Sequence, residues 1–220
     1  MTQRISAAAW LGITVMVVIA AVVGWQLAKP THAKTTAAAT TAQPATGASA
    51  DALRQAATAM EAASSYRFEG DVTVGGHAIT ITGEFSAPDR LHEILTVAGA
   101  NTIERVAIGR SAYQRTATSW QAVSGATSTG DPRQTFAALA QATKVTPEGS
   151  GFAFELAGPA VASLVSGGVA TSSVSGTVRI TNGSITDLAY RSAVASGTTV
   201  HFAYSAIGTT PAVTAPKVTP

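Results

Sequence analysis

From Tyr66 onward the chain sets apolar side chains at every second position. Tyr66, Phe68, Val72, Val74, Ile79, Ile81 and Phe85 alternate with Arg67, Asp71, Thr73, Thr80, Thr82 and Glu84. A period of two belongs to half-buried antiparallel strands, one face apolar and the other wet. The same period returns late in the chain, at Val174, Val178 and Ile180 and then at Leu188, Tyr190, Val200, Phe202 and Tyr204. Gly75-Gly76, Ala87-Pro88-Asp89, Gly99-Ala100-Asn101 and Gly109-Arg110-Ser111 punctuate the first block as a meander requires, and Asn182-Gly183 is a two-residue hairpin turn in the second.

Helical spacing brackets the first block. Leu53, Ala56, Ala57, Met60 and Ala63 recur on one face of a helix over Asp51–Ser64, with Ser49 or Asp51 as its cap. Asp131 reads as the cap of a second helix, with Pro132 at its first position and Phe136, Leu139 and Ala140 on its apolar face. A third, shorter helix starts at Pro159 and stops at Gly167-Gly168. The order is thus one helix, about five strands, helices, then about four strands. Such segregation gives an α+β class built on one large antiparallel sheet and excludes an alternating βαβ nucleotide fold. A large twisted sheet curls, and helices over its concave face leave an apolar gap, the natural ligand site.

The amino terminus is of another kind. Between Arg4 and Lys29 lie only uncharged residues, Ile5 to Ala28, which as a helix would reach about 36 Å, enough to span a bilayer. Trp10 and Trp25 stand near its ends, and the one small-x-small sequence that follows, Thr31-His32-Ala33, is a poor cleavage site. Residues 1–29 therefore read as an uncleaved signal anchor, a single transmembrane segment with the domain exported. Residues 30–50 have no large apolar side chain and read as a disordered linker, 51–215 as the folded domain and 216–220 as a tail.

Charge and motifs remove most other functions. The chain of 220 residues carries 14 Lys or Arg against 12 Asp or Glu. Residues 1–50 hold three of the bases, so residues 51–220 carry 11 bases and 12 acids, a net of −1. No basic stripe with interleaved aromatics is left to bind nucleic acid. With no cysteine, disulfides, thiolate zinc sites, iron–sulfur clusters, a Cys nucleophile and a lipid anchor on cysteine are all excluded. There is no Walker loop, no G-x-G-x-x-G after a strand and no G-x-S-x-G elbow. His92-Glu93 lacks the second histidine of a zinc-protease motif, and no carboxylate pair stands out for acid–base work. Neither a catalytic group, nor a metal site, nor a cofactor is expected.

Several segments together carry a resemblance: Ser65-Tyr66-Arg67-Phe68, then Phe85-Ser86-Ala87-Pro88-Asp89-Arg90, then Gly109 through Tyr113, Arg115 and Trp120, followed by the Asp131-Pro132 helix. Over most of residues 51–215 the chain resembles the LolA-like periplasmic lipoprotein-carrier superfamily, and within it the actinobacterial envelope lipoproteins of the LppX and LprG kind. The resemblance implies a half-barrel closed by about three helices, holding acyl chains without catalysis. The candidate lining is then Ile79, Ile81, Phe85, Val106 and Ile108 from the first strand block. Phe136, Leu139 and Leu164 come from the helices, and Phe152, Phe154, Val178 and Ile180 from the later strands. Plain core packing is the competing account of each. The lipoproteins of this group carry an acylated cysteine that this chain lacks, which favours a domain tethered by its own helix over a diffusing shuttle. The expected function is a membrane-anchored, non-enzymatic binder of acyl lipid or lipoprotein cargo in a bacterial envelope. The alternative is an envelope sensor of the same fold, its cavity filled by side chains, acting on an envelope protein partner.

Overall fold

The computed structural model describes residues 43–74, 76–99, 102–123, 132–157, 160–161, 173–192 and 198–218. Within them the chain runs α1 (Ala48–Glu61), β1 (Ser65–Val74), β2 (His77–Ser86), β3 (Arg90–Val97), β4 (Ile103–Ile108), β5 (Ser111–Arg115) and β6 (Trp120–Ala122). It continues with α2 (Arg133–Leu139), β7 (Lys144–Glu148), β8 (Gly151–Ala157), β9 (Ser173–Thr181), β10 (Ser184–Ser192) and β11 (Thr198–Ser205). The expected anchor lies outside the described residues. Among those described, no helix is long and apolar enough to cross a membrane.

All eleven strands join one open sheet in the order β6-β5-β4-β3-β2-β1-β11-β10-β9-β8-β7. Each half is a meander, and the first and last strands meet in the middle, where Phe68 opposes Tyr204 and Gly70 opposes Phe202. The strands β6 and β7, which the alternation did not bring out, are the two edges. Strand β6 is three residues long, and β7 carries Pro147 and Lys144, residues that blunt an edge against pairing with another sheet. The β9–β10 turn has Asn182 at φ 51° and Gly183 at φ 76°, the pair of positive angles that a type I′ hairpin needs.

Helix α1 buries Leu53, Ala56, Ala57 and Met60, the expected stripe. It starts at Ala48, earlier than the apolar spacing suggests, with Gly47 at its N-cap; Ser49 and Asp51 are inside the first turn and do not cap it. The entering chain is tied down instead. The Ala45 N–H donates to the Ala142 carbonyl at 2.7 Å, and Arg54 donates to the Ala45 carbonyl at 3.0 Å. The last residues of the stretch read as linker are therefore part of the folded body. In α2 Pro132 is the N-cap, not the first helical residue, and Asp131 lies outside the described residues. Only Ala160 and Val161 of the expected third helix are described, both helical.

Both helices pack on one face of the sheet. Leu53, Met60, Phe136 and Leu139 meet Tyr66 and Phe85 from β1 and β2, and Phe154, Leu156, Val174, Val178, Ile185 and Leu188 from β8, β9 and β10. Each of these side chains stabilises the fold by about 1.5–3 kcal/mol through burial. The other face carries cross-strand pairs such as Arg67–Glu84 at 2.9 Å and Lys144–Glu155 at 3.1 Å, exposed and so weak.

Ile207 still packs against the core, and residues 210–218 then continue over that second face. The Thr210 N–H donates to Ser65 Oγ at 3.1 Å, the Val213 N–H donates to Ser86 Oγ at 3.0 Å, and Arg90 donates to the Val213 carbonyl at 3.0 Å. Val218 then bridges to Trp120 on the edge strand β6.

Candidate functional site

Strand register decides which side chains face the helices. Tyr66 pairs with Phe85, Gly70 with Ile81 and Val72 with Ile79. One strand on, Phe85 pairs with Leu91, Ile81 with Leu95 and Ile79 with Val97. Leu91, Glu93 and Leu95 then oppose Ala107, Arg105 and Ile103. All of these share the helix-side, inner face, because side chains one ladder step apart stay on the same side of the pleat.

Ile79, Ile81 and Phe85 from the candidate lining are thus inner-face residues, as are Phe152, Phe154, Val178 and Ile180 across β8 and β9. Phe136 and Leu139 come down on them from α2. Val106 and Ile108 do not join them. Val106 opposes His92 and Tyr113, on the outer face, and is 5% exposed there. The alternation in IERVAI has two apolar phases, and it is Ile103 and Ala107 that point inward. Leu164 lies outside the described residues.

The inner face has two textures. Phe85, Phe136, Leu139, Phe154 and Val178 are at most 2% exposed and form the packed core. Farther along β1 to β4, Val72, Ile79, Ile81, Leu95, Val97 and Ile103 are only half-buried. Between the two runs a floor of aromatic rings: Tyr66 stacks on Phe85 at 5.0 Å, Phe136 meets Tyr204 edge-on at 5.3 Å, and Phe68 and Phe202 stand 6.0 Å apart.

Glycines let these rings lie down. A Cβ on Gly83 would stand 2.4 Å from the Phe68 ring, and one on Gly70 would stand 2.4 Å from the ring of Phe202. Each ring therefore rests over the neighbouring strand's bare backbone and does not rise toward the helices. Phe68, Phe202, Tyr190 and Tyr204 join this face beyond the candidate lining; for Phe68, Phe202 and Tyr190 the signal is glycine in an inward strand position beside an aromatic.

Two phenols mark this floor electrostatically. Burial pushes Tyr190 up to about 12 and Tyr204 well above the ordinary tyrosine range, where the neighbouring Tyr66 and Tyr190 push it further. Both nevertheless keep part of their surface accessible.

One polar row crosses the inner face. Phe68, Gly83, Glu93, Arg105, Gln114 and Gln121 are successive partners from β1 to β6. Glu93 is 7% exposed, and Arg105 Nη1 approaches it at 3.5 Å. Elsewhere the polar chemistry is outward. On the outer face Glu104 accepts from His92 at 3.0 Å and from Arg115 at 2.9 Å. Burial alone would raise the Glu104 carboxyl, but these two partners outweigh it and hold it below its usual value. Among the described residues no three His, Asp or Glu side chains gather as metal ligands.

Comparison with solved structures places this geometry. The crystal structure of LprF from Mycobacterium bovis matches at a TM-score of 0.58 and 11% identity, over 76% of this chain and 96% of that one. The lipoprotein LppX from Mycobacterium tuberculosis matches at a TM-score of 0.51 and 11% identity, over 75% of this chain and 97% of that one. The chain shares the fold of LprF and LppX. No family model matches the chain, and no curated protein matches it in sequence. At 11% identity the likeness is one of architecture, and the expected α+β half-barrel is seen as an open eleven-stranded sheet with its helices on one face.

Proposed function

We propose that the domain binds the acyl chains of a lipid or lipoprotein on its inner face, without catalysis, in a bacterial envelope. The observation that carries this reading is the run of inward apolar side chains that the helices leave half-buried, Val72, Ile79, Ile81, Leu95 and Val97, beside the aromatic floor. An apolar face left incompletely covered suits an alkyl chain, which asks for contact area and no hydrogen bonds. The resemblance to lipoprotein carriers, and a solved neighbour that is itself a lipoprotein, support the same reading. With residues 1–29 as an uncleaved anchor, the domain stays at the extracytoplasmic surface of the membrane and handles cargo there. Fluorescence of an acyl probe added to the full chain tests it. Saturable enhancement, lowered at least tenfold in apparent affinity by Ile81→Trp, is expected. No enhancement, with a specific envelope protein captured instead, would favour the sensor of the same fold.

A further inference from the structure

We propose that Arg105 is the headgroup site of the acyl-binding face and reads an oxyanion, a phosphate ester or a carboxylate, at the polar end of the bound amphiphile. The inference rests on the acyl-binding reading and adds to it the class of ligand.

Three observations carry it. Arg105 points to the inner face, between the inward Ile103 and Ala107 on its own strand, where every neighbouring row is aliphatic or aromatic. A cation in such a wall loses hydration, and it is held there by pairing that its distance to Glu93 leaves incomplete. Among the described residues its ion partner is Glu93, and their 3.5 Å approach is too long for a good hydrogen bond. A guanidinium offers five N–H donors in a planar fork, so most of its donor capacity remains for a ligand. Gln114, directly opposite on β5, adds an amide to the same row.

The placement also orients the amphiphile. Leu95 and Ile81 lie one step along and across from the ion pair, on the way to Ile79 and the aromatic floor. An alkyl chain laid on that path ends with its head at Arg105. Glu93 then orients the guanidinium and disfavours a second anion.

The test uses the full chain in amphipol, stripped of lipid, and three C16 amphiphiles: hexadecyl phosphate, hexadecanoate and the neutral hexadecanol. Each displaces a fluorescent acyl probe, and background cancels between variants that differ at one residue. Charge-assisted hydrogen bonds at a half-buried site should favour at least one of the anions over the alcohol by about tenfold to a hundredfold. Arg105→Gln should remove that preference and leave hexadecanol unchanged, while Arg105→Lys keeps part of it. Equal affinity for all three in the native chain, or a preference that survives Arg105→Gln, overturns the headgroup site and leaves acyl binding standing. No displacement by any of them overturns acyl binding itself. Calorimetric binding of inorganic phosphate, lost in Arg105→Gln, would assign the residue to a free anion and also overturn the proposal.

Discussion

The two wings of the sheet are built from the same kind of strand and finished differently. In the wing β7–β10 the inward Phe154, Leu156, Val174, Val178, Ile185 and Leu188 are at most 2% exposed, sealed with α1 and α2, and Val145, Phe152, Ile180 and Tyr190 around them stay half-buried. In the wing β2–β4, beyond Phe85 and Leu91, the inward Ile79, Ile81, Leu95, Val97 and Ile103 stay half-buried, and Glu93 and Arg105 interrupt them. Alternation alone gives each wing an apolar face. What separates body from binding surface is how completely that face is covered, together with glycines that keep the aromatic floor low.

Substitutions that hit one wing at a time put this contrast to the test. Phe136→Ala strikes the sealed part and should cost about 3–5 kcal/mol in urea unfolding, whereas Ile81→Ala should cost less than about 1.5 kcal/mol. Equal costs would break the contrast. Gly83→Val drives a side chain against the Phe68 ring and the His92 carbonyl oxygen; it should cost about 1–3 kcal/mol and also weaken acyl-probe binding, through lost space. Unchanged binding would show that the floor is not part of the site.

Alkaline titration sharpens the dry floor. Because the Tyr190 phenol is raised to about 12 from an unfolded value of 10.0, the unfolded chain ionises first. Stability is full below pH 10 and is lost as pH rises toward about 12, and Tyr190→Phe should flatten that loss. An absorbance titration in which all four tyrosines of the chain ionise near pH 10 while it remains folded would contradict it. The smallest effect belongs to the outer face. Glu104 is depressed from 4.5, so its contribution is present above that pH and declines as pH falls through the folded value. Glu104→Gln should shrink the acid-side loss of stability slightly and leave probe binding unaltered.

Much of the scaffold is legible in the sequence. Leu53, Ala56, Ala57 and Met60 declare α1 by spacing, and Asn182-Gly183 declares the β9–β10 turn by the angles only such residues adopt readily. Strand β7 was hidden because Pro147 and its charged neighbours interrupt alternation at an edge. The site was legible only in part. Val106 looks like lining because it is apolar and buried, but the outer face, crossed by residues 210–218, has buried sites of its own, Val213 among them. A chain-terminal segment that covers an outer face leaves no periodic trace in the strand beneath. Arg105 is illegible for the opposite reason: a charge in a strand ordinarily marks the wet phase, and only the ladder of Leu91, Glu93 and Leu95 against Ala107, Arg105 and Ile103 reverses it.

The central claim is that the half-buried inner face is an acyl-binding surface. Native mass spectrometry of the full chain purified from a bacterial envelope measures this most directly. The account expects a stoichiometric adduct that fragments to acyl-bearing lipid and is depleted in Ile81→Trp. A bare chain mass from preparations that never met competing amphiphile, together with an inner face that takes up no acyl probe, would contradict it.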